Sequence, residues 1–262
     1  MNNLWSKANY RANIDYVIDA PIKEYDISKA NINVLRDANI ITEELYQYLL
    51  VAPKIEREVY IGKMQGNDPN VTAVLKQGIE NARKVFMEIN NINPSEVLSI
   101  RNDAIMVISN RPMILDITQR VKFRLSGDYR SFYKINNLNF YYNYNLVTEE
   151  EVLDVKGMDE SAYNLHKDYM IEFLAELFYA AQIEGVQTAM KLLSMVYTNY
   201  INKLLDIGYY RELNSLSRFK IINSQFYADF LTEWDKKYVD LSYNENIFRH
   251  LNKIFSTVYF KK

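Results

Sequence analysis

A long helical pattern, followed at once by two short apolar runs, constrains the fold of this chain more than any other feature. Apolar residues recur at spacings of three and four across 71–90, which predicts one amphipathic helix with a single buried face. Asn93-Pro94 ends that helix, and apolar runs at 97–100 and 105–108 follow. Short β-branched runs around a polar tripeptide predict a β-hairpin. The chain is therefore expected to pack a helix against an antiparallel hairpin.

The rest of the pattern predicts an α+β fold, with an antiparallel sheet covered by helices and an all-helical C-terminal part. Residues 54–70 contain Gly62, Gly66 and Pro69, which favour a loop or a short hairpin. Further elements are predicted from their spacing: strands at 120–125 and 139–144, and helices at 161–182, 186–205 and 226–237. The predicted division is an N-terminal extension at 1–21, an α+β domain at 22–160 and a helical subdomain at 161–262.

The composition limits the kinds of catalysis and metal site that this chain can support. The chain has no cysteine and only 2 histidines, so disulfides, thiol catalysis and multi-histidine metal sites are excluded. Any bound metal is therefore expected on carboxylate oxygens, which favour Mg²⁺, Mn²⁺ or Ca²⁺. The net charge is −2, so nucleic-acid binding has to rest on local patches. No apolar run reaches the ~18 residues of a membrane span, and we expect a cytoplasmic protein.

Two aspartates occupy positions where catalytic or ligand-binding residues are often found. Asp26 stands between an extended segment and a helix, where ligands commonly bind, although it could instead cap the helix after Ser28. Asp103 stands at the tip of the predicted hairpin, although Asn-Asp is also common turn material. Together they suggest a catalytic site, because two-metal phosphoryl transfer needs carboxylates from different elements around ions about 3.5–4 Å apart.

In this order, the motifs resemble the palm of template-directed DNA polymerases of the phage type. The helix and hairpin over 71–108 resemble the palm helix and catalytic hairpin of family B. The step beginning at Asp26-Ile27-Ser28 is similar to the first catalytic motif of families B and A. Lys156-Gly157 resembles the Lys-Gly step that family B uses near the primer–template, and the helical end resembles a thumb.

The resemblance implies a nucleotidyltransferase that adds nucleotides to a primer 3′ end. Asp26 and Asp103 would be its catalytic residues and would ligate two Mg²⁺ or Mn²⁺ ions. The implied partners are a DNA primer–template and a nucleoside triphosphate, with no membrane. Because no clear fingers motif is found, a second polymerase subunit is expected to complete the site.

Two groups of basic residues could hold phosphates. The first would meet the triphosphate, or else form an ordinary solvated face; its members are Lys54, Arg57 and Lys63. The second alternates with aromatic residues and suits a nucleic-acid backbone, or else an ordinary solvent face of a sheet. It comprises Arg120, Lys122, Arg124, Arg130 and Lys134, and the resemblance adds Lys156.

The chain also departs from the family pattern. Arg101 replaces the first acid of the family B hairpin turn, and Ala104 follows Asp103 where family A has a glutamate. Arg101 could weaken metal binding by charge repulsion. These departures favour a rival hypothesis, a non-catalytic nucleic-acid-binding or assembly subunit of a phage replication or transcription complex. A purely structural protein is a third alternative.

Overall fold

The computed structural model describes residues 3–216 and 244–260, together with the backbone of two short strands at 219–220 and 226–227. The strands are β1 (Asn9–Arg11), β2 (Tyr16–Val17), β3 (Ile22–Ile27), β4 (Val97–Arg101), β5 (Ala104–Ile108), β6 (Phe123–Tyr129), β7 (Ser131–Ile135), β8 (Leu138–Asn145), β9 (Glu150–Lys156), β10 (Phe219–Lys220) and β11 (Phe226–Tyr227). The α-helices are α1 (Ala30–Asp37), α2 (Glu43–Val51), α3 (Lys54–Asn67), α4 (Pro69–Ile89), α5 (Glu160–His166), α6 (Glu172–Tyr179), α7 (Val186–Ile201) and α8 (Glu245–Phe260). The predicted α+β class is confirmed.

Two compact units make up the chain. Unit 1 comprises Met1–Asn13 and Pro21–Asp128, and unit 2 comprises Ile14–Ala20 and Tyr129–Lys262. Unit 1 contains a five-stranded sheet in the order β1-β4-β5-β3-β6, and unit 2 contains a four-stranded sheet in the order β2-β7-β8-β9. The division predicted from the sequence, with boundaries after residues 21 and 160, stays a prediction.

The helix and hairpin of unit 1 form as their sequence predicts. Asp68 accepts a hydrogen bond from the Asn70 N–H at 2.9 Å, and Pro69 occupies the first turn of α4, where its missing N–H is harmless. The apolar stripe of α4 buries Val71, Leu75 and Phe86 in the core of unit 1. Strands β4 and β5 pair antiparallel from the turn outward, as the apolar runs indicate.

Close packing of α1 on α4 depends on Gly78. A Cβ atom at this position would overlap with Cγ1 of Val34 on α1. The absence of a side chain therefore lets the two helices approach each other here.

The loop or hairpin predicted at 54–70 is wrong, because Lys54–Asn67 form a helix. A Cβ atom at Gly62 or Gly66 would meet no atom within 4 Å, so neither glycine marks a close approach. Glycine in a helix lowers its stability by only about 1 kcal/mol, which tertiary packing can overcome. Pro53 precedes α3 and Pro69 begins α4, so both prolines lie at helix starts.

Unit 2 packs its helices on an aromatic sheet. Phe178 of α6 stacks on Tyr133 of β7, with ring centroids 4.0 Å apart and planes 5° apart. Two π-helical segments, Lys167–Ile171 and Ala180–Glu184, flank α6, so the helix predicted at 161–182 is interrupted. Of the helix predicted at 226–237, the first two residues form β11 and the others lie outside the described residues.

Candidate functional site

A cavity of about 740 Å³ in unit 1 brings together the two aspartates singled out in the sequence. Its walls come from the end of β3, the start of α1, one face each of α3 and α4, the β4–β5 turn and β6. The charged side chains that line it are six cations and four acids: Lys29, Lys54, Arg57, Lys76, Arg83, Arg124, Asp26, Glu58, Glu80 and Asp103. We refer to this space as the charged cavity.

Asp26 and Asp103 are neighbours because β3 lies beside the hairpin. Asp26 pairs with Ala104 in the β3–β5 register, and the Ile27 N–H donates to the Asp103 carbonyl oxygen at 3.3 Å. Both residues are partly buried. Burial raises the pKa of the Asp103 carboxyl group, and the negative charge of Asp26 raises it further. The pair thus concentrates negative charge where water is partly excluded.

The structure does not support helix capping as the role of Asp26. Helix α1 begins at Ala30, and the residue in the N-cap position is Lys29, which adopts a left-handed conformation and makes no side-chain cap. The Asp26 carboxylate instead accepts two hydrogen bonds from Arg124, at 2.7 Å from Nε and 3.1 Å from Nη2. Asp103 does lie in the hairpin turn, and it also lines the charged cavity.

Helix α3 presents two of the three predicted triphosphate ligands to the charged cavity. Lys54 and Arg57 line it together with Ile61, one turn further along the same helix face. Lys63 is exposed elsewhere on α3 and is not among the cavity residues.

Arg83 is the most deeply buried cation of the charged cavity, with 2% of its surface exposed. Its Nε donates to the Trp5 carbonyl oxygen at 2.9 Å, and its Nη1 donates to the Asn102 carbonyl oxygen in the hairpin turn. Burial lowers the pKa of this guanidinium group from its ordinary value. Arg83 therefore ties α4 to the turn that carries Asp103.

Arg101, the residue expected to disturb the metal site, lies elsewhere. It is exposed at the end of β4 and lines a separate depression with Asn9, Tyr10 and Arg11. Arg101 is the last residue of β4, whereas Asp103 lies in the turn, after Asn102 in a left-handed conformation.

Five of the six basic residues of the predicted nucleic-acid strip have acidic partners. In unit 1, Arg120 pairs with Asp37 at 3.3 Å and Lys122 pairs with Asp116 at 3.2 Å. Only Arg124 lies on β6, because the strand begins at Phe123. Within this part of the strip, Arg124 lines the charged cavity.

The other members of the strip belong to unit 2. Arg130 pairs with Asp19 at 2.5 Å, and Lys156 lies 2.6 Å from Asp154 at the end of β9. Lys134 is partly buried on β7. These contacts place all three cations on or beside the four-stranded sheet.

The pairing of β3 with β5 brings together two carboxylates, those of Asp26 and Asp103. Among the described residues there is no group of three or more histidine, aspartate or glutamate side chains that could hold a metal ion. Within the same residues, no helix has the length and apolar character needed to cross a membrane.

Sequence reasoning missed Arg83 on α4 and the Asp26–Arg124 pair. Arg83 follows Ile79 by four residues and precedes Phe86 by three, so the helical spacing places it on the buried side. A charged residue on the buried side of an amphipathic helix was the signal that could have identified Arg83. No local signal joins Asp26 to Arg124, which are 98 residues apart in the chain.

Comparison with known proteins gives a match to one family. A family model described as "Bacteriophage PBS1 gene 130 protein" matches residues 1–256. Among curated proteins, no match is found.

Proposed function

We propose that this chain, which belongs to the Bacteriophage PBS1 gene 130 protein family, is a DNA polymerase-like nucleotidyltransferase subunit that acts in the host cytoplasm. The observation that carries this proposal is the meeting of Asp26 and Asp103 in a cavity that also holds six cationic side chains. Carboxylates suit metal ions, and clustered cations suit phosphates. A nucleoside triphosphate with its metal ions brings both.

The two carboxylates fit a divalent cation that takes its remaining ligands from a substrate. Mg²⁺ is commonly held by one or two carboxylates together with substrate phosphates and water. The raised pKa of Asp103 also fits, because a cation would offset the nearby charge of Asp26. When bound, the ions would activate the primer hydroxyl and stabilise the pyrophosphate leaving group.

The chain's own residues would bind and orient the substrates. Lys54 and Arg57 on α3 would pair with the phosphates of the triphosphate, and Arg83 would hold the Asp103 turn in position. Basic side chains outside the cavity would contact the primer–template, namely Arg120, Lys122, Arg130, Lys134 and Lys156. A partner chain would supply the missing fingers.

Primer extension tests this proposal. The full chain would be assayed with Mg²⁺ or Mn²⁺, alone and with the product of a neighbouring phage gene. We expect Asp26→Asn and Asp103→Asn each to lower extension by at least about 100-fold, because each removes a metal ligand. Asp116→Asn is the matched control, since Asp116 pairs with Lys122 and is not among the cavity residues. Equal extension by Asp103→Asn and the wild type would refute the catalytic role.

A second candidate is a non-catalytic nucleic-acid-binding or assembly subunit. The observation in its favour is that Arg124 already occupies both carboxylate oxygens of Asp26. This candidate predicts no extension under any condition, together with salt-dependent DNA binding that is unchanged in Asp103→Asn. Neutralising a cation that contacts phosphate should lower the slope of log affinity against log salt by about 0.9.

A further inference from the structure

We infer that Arg124 is a latch that makes cation binding at Asp26 conditional on an anion. The guanidinium group holds the carboxylate until a phosphate-like anion in the charged cavity draws it away. This inference rests on the proposed function, because it concerns the same two carboxylates, and it adds a rule for the order in which the site can be filled.

The register between β3 and β6 determines that Arg124 lies next to Asp26. On one side, the Ser28 N–H donates to the Lys122 carbonyl oxygen at 3.0 Å; on the other, Ser126 Oγ donates to the Glu24 carbonyl oxygen at 3.2 Å. Antiparallel pairing between these contacts places Arg124 directly opposite Asp26. The sheet therefore brings the two side chains within reach of each other.

The pair engages both oxygens of the Asp26 carboxylate. Nε of Arg124 lies 2.7 Å from Oδ1, and Nη2 lies 3.1 Å from Oδ2. This two-point geometry is the strongest form of an arginine–carboxylate contact. A divalent cation needs at least one of these oxygens, so it must compete with the guanidinium group.

Arg124 is the member of the pair that can turn away. Its side chain is 64% exposed, whereas that of Asp26 is 24% exposed. Lys54 and Arg57 line the same cavity, so an anion bound there would meet further cations. Once Arg124 has turned to the anion, Asp26 and Asp103 are left as neighbouring negative charges, which favours a divalent cation.

The latch couples the two ligands in both directions. If an anion raises the affinity for the cation by some factor, the cation must raise the affinity for the anion by the same factor. The empty site would then keep the Asp26 carboxylate paired with Arg124, and metal and phosphate would each favour the binding of the other.

Mn²⁺ binding to the full chain tests the latch, with free Mn²⁺ measured by electron paramagnetic resonance. Sulfate serves as the anion, because it pairs with guanidinium groups but binds Mn²⁺ weakly, and chloride maintains the ionic strength. Without sulfate, we expect Arg124→Gln to bind Mn²⁺ at least about fivefold more tightly than the wild type. Sulfate should strengthen binding to the wild type and have little effect on the variant.

Matched variants separate the latch from general charge effects. Arg111→Gln removes a paired arginine whose partner, Glu96, is not a charged-cavity residue, so its Mn²⁺ affinity should match the wild type. Arg124→Lys keeps the charge but loses the two-point contact, so its affinity should lie between those of the wild type and Arg124→Gln. Adding Asp26→Asn should abolish the gain in Arg124→Gln.

The results distinguish failure of the latch from failure of the proposed function. Mn²⁺ binding that depends on Asp26, but is equal in the wild type and Arg124→Gln, would overturn the latch alone. Absence of Mn²⁺ binding in both proteins, even with a nucleoside triphosphate present, would overturn the proposed function and the latch with it.

Discussion

The two units of the chain use their interiors differently. Unit 1 gathers charged side chains around a cavity of about 740 Å³ and buries Arg83 beside it. Unit 2 fills the space between its sheet and helices with aromatic rings, among them Tyr133, Phe140 and Phe178. Polar groups in a cavity stabilise a fold less than packed rings do, because their burial is unfavourable unless every group is paired.

This difference suggests a division of roles. The side chains that could bind metal and the triphosphate line the cavity of unit 1, as in sites that give up stability for chemistry. The aromatic core of unit 2 has the opposite character. Stability measurements on matched variants test this contrast.

Truncation of the aromatic core should have the largest effect. Phe178 is fully buried and contacts the rings of Tyr133, Phe140 and Tyr142. We expect Phe178→Ala to lower the free energy of unfolding by about 3–5 kcal/mol, through lost packing and the cavity left behind. Urea unfolding would measure this. A loss below about 1 kcal/mol would show that the ring cluster does not dominate the stability of unit 2.

Removal of the buried cation from unit 1 should have a smaller effect. Arg83→Met leaves the Trp5 and Asn102 carbonyl oxygens without their donor, which we expect to lower the unfolding free energy by about 2 kcal/mol. Lys63→Met is the matched control, because Lys63 is exposed on α3 and surface substitutions usually change the unfolding free energy by at most about 0.5 kcal/mol. Similar urea midpoints for the two variants would contradict the structural role of Arg83.

Acid should weaken unit 2 through His166. Burial lowers the pKa of this histidine, and its Nδ1 has no hydrogen-bond partner among the described residues. The unfolded chain therefore takes up a proton first, and stability should fall as the pH drops below 6.5, by at most ~1.4 kcal/mol per pH unit. His166→Gln keeps a donor for the Ser215 carbonyl oxygen but does not titrate. If wild type and variant show the same pH dependence in urea unfolding between pH 8 and 5, this assignment is wrong.

Neutralising Asp103 should give the smallest effect, and a favourable one. Its pKa is raised, so the charged form is disfavoured in the folded chain, and that penalty is present above the folded pKa and disappears at lower pH. Asp103→Asn should therefore raise the melting temperature by roughly 2–4 °C at pH 7 and have no such effect at pH 3. Thermal unfolding at both pH values would show this. Asp116→Asn is the control, and a similar gain there would indicate a general charge effect.

Local sequence patterns correctly predicted those elements whose structure depends mainly on their own residues. The apolar runs around Asn102 and Asp103 predicted the hairpin that β4 and β5 form. Helix α3 was missed because Gly62 and Gly66 weigh against a helix locally, whereas the packing of Ile61 in the core favours one.

The candidate site was only partly accessible to the same reasoning. That Asp26 and Asp103 lie together follows from a strand placed next to the hairpin, which the order of the motifs suggested. The Asp26–Arg124 pair could not be found in this way, because it depends on the register between strands far apart in the sequence. The predicted metal and nucleotide roles of these residues stay predictions.

The absence of a side chain at Gly78 has a consequence for the dimensions of the charged cavity. Helix α1, whose first residues form one wall of this cavity, approaches α4, which forms another, at the point where Gly78 meets Val34. Any side chain at position 78 would push α1 and α4, and with them the two walls, apart. A single methyl group at position 78, which does not line the charged cavity, would thus alter the separation of its walls without changing its chemistry.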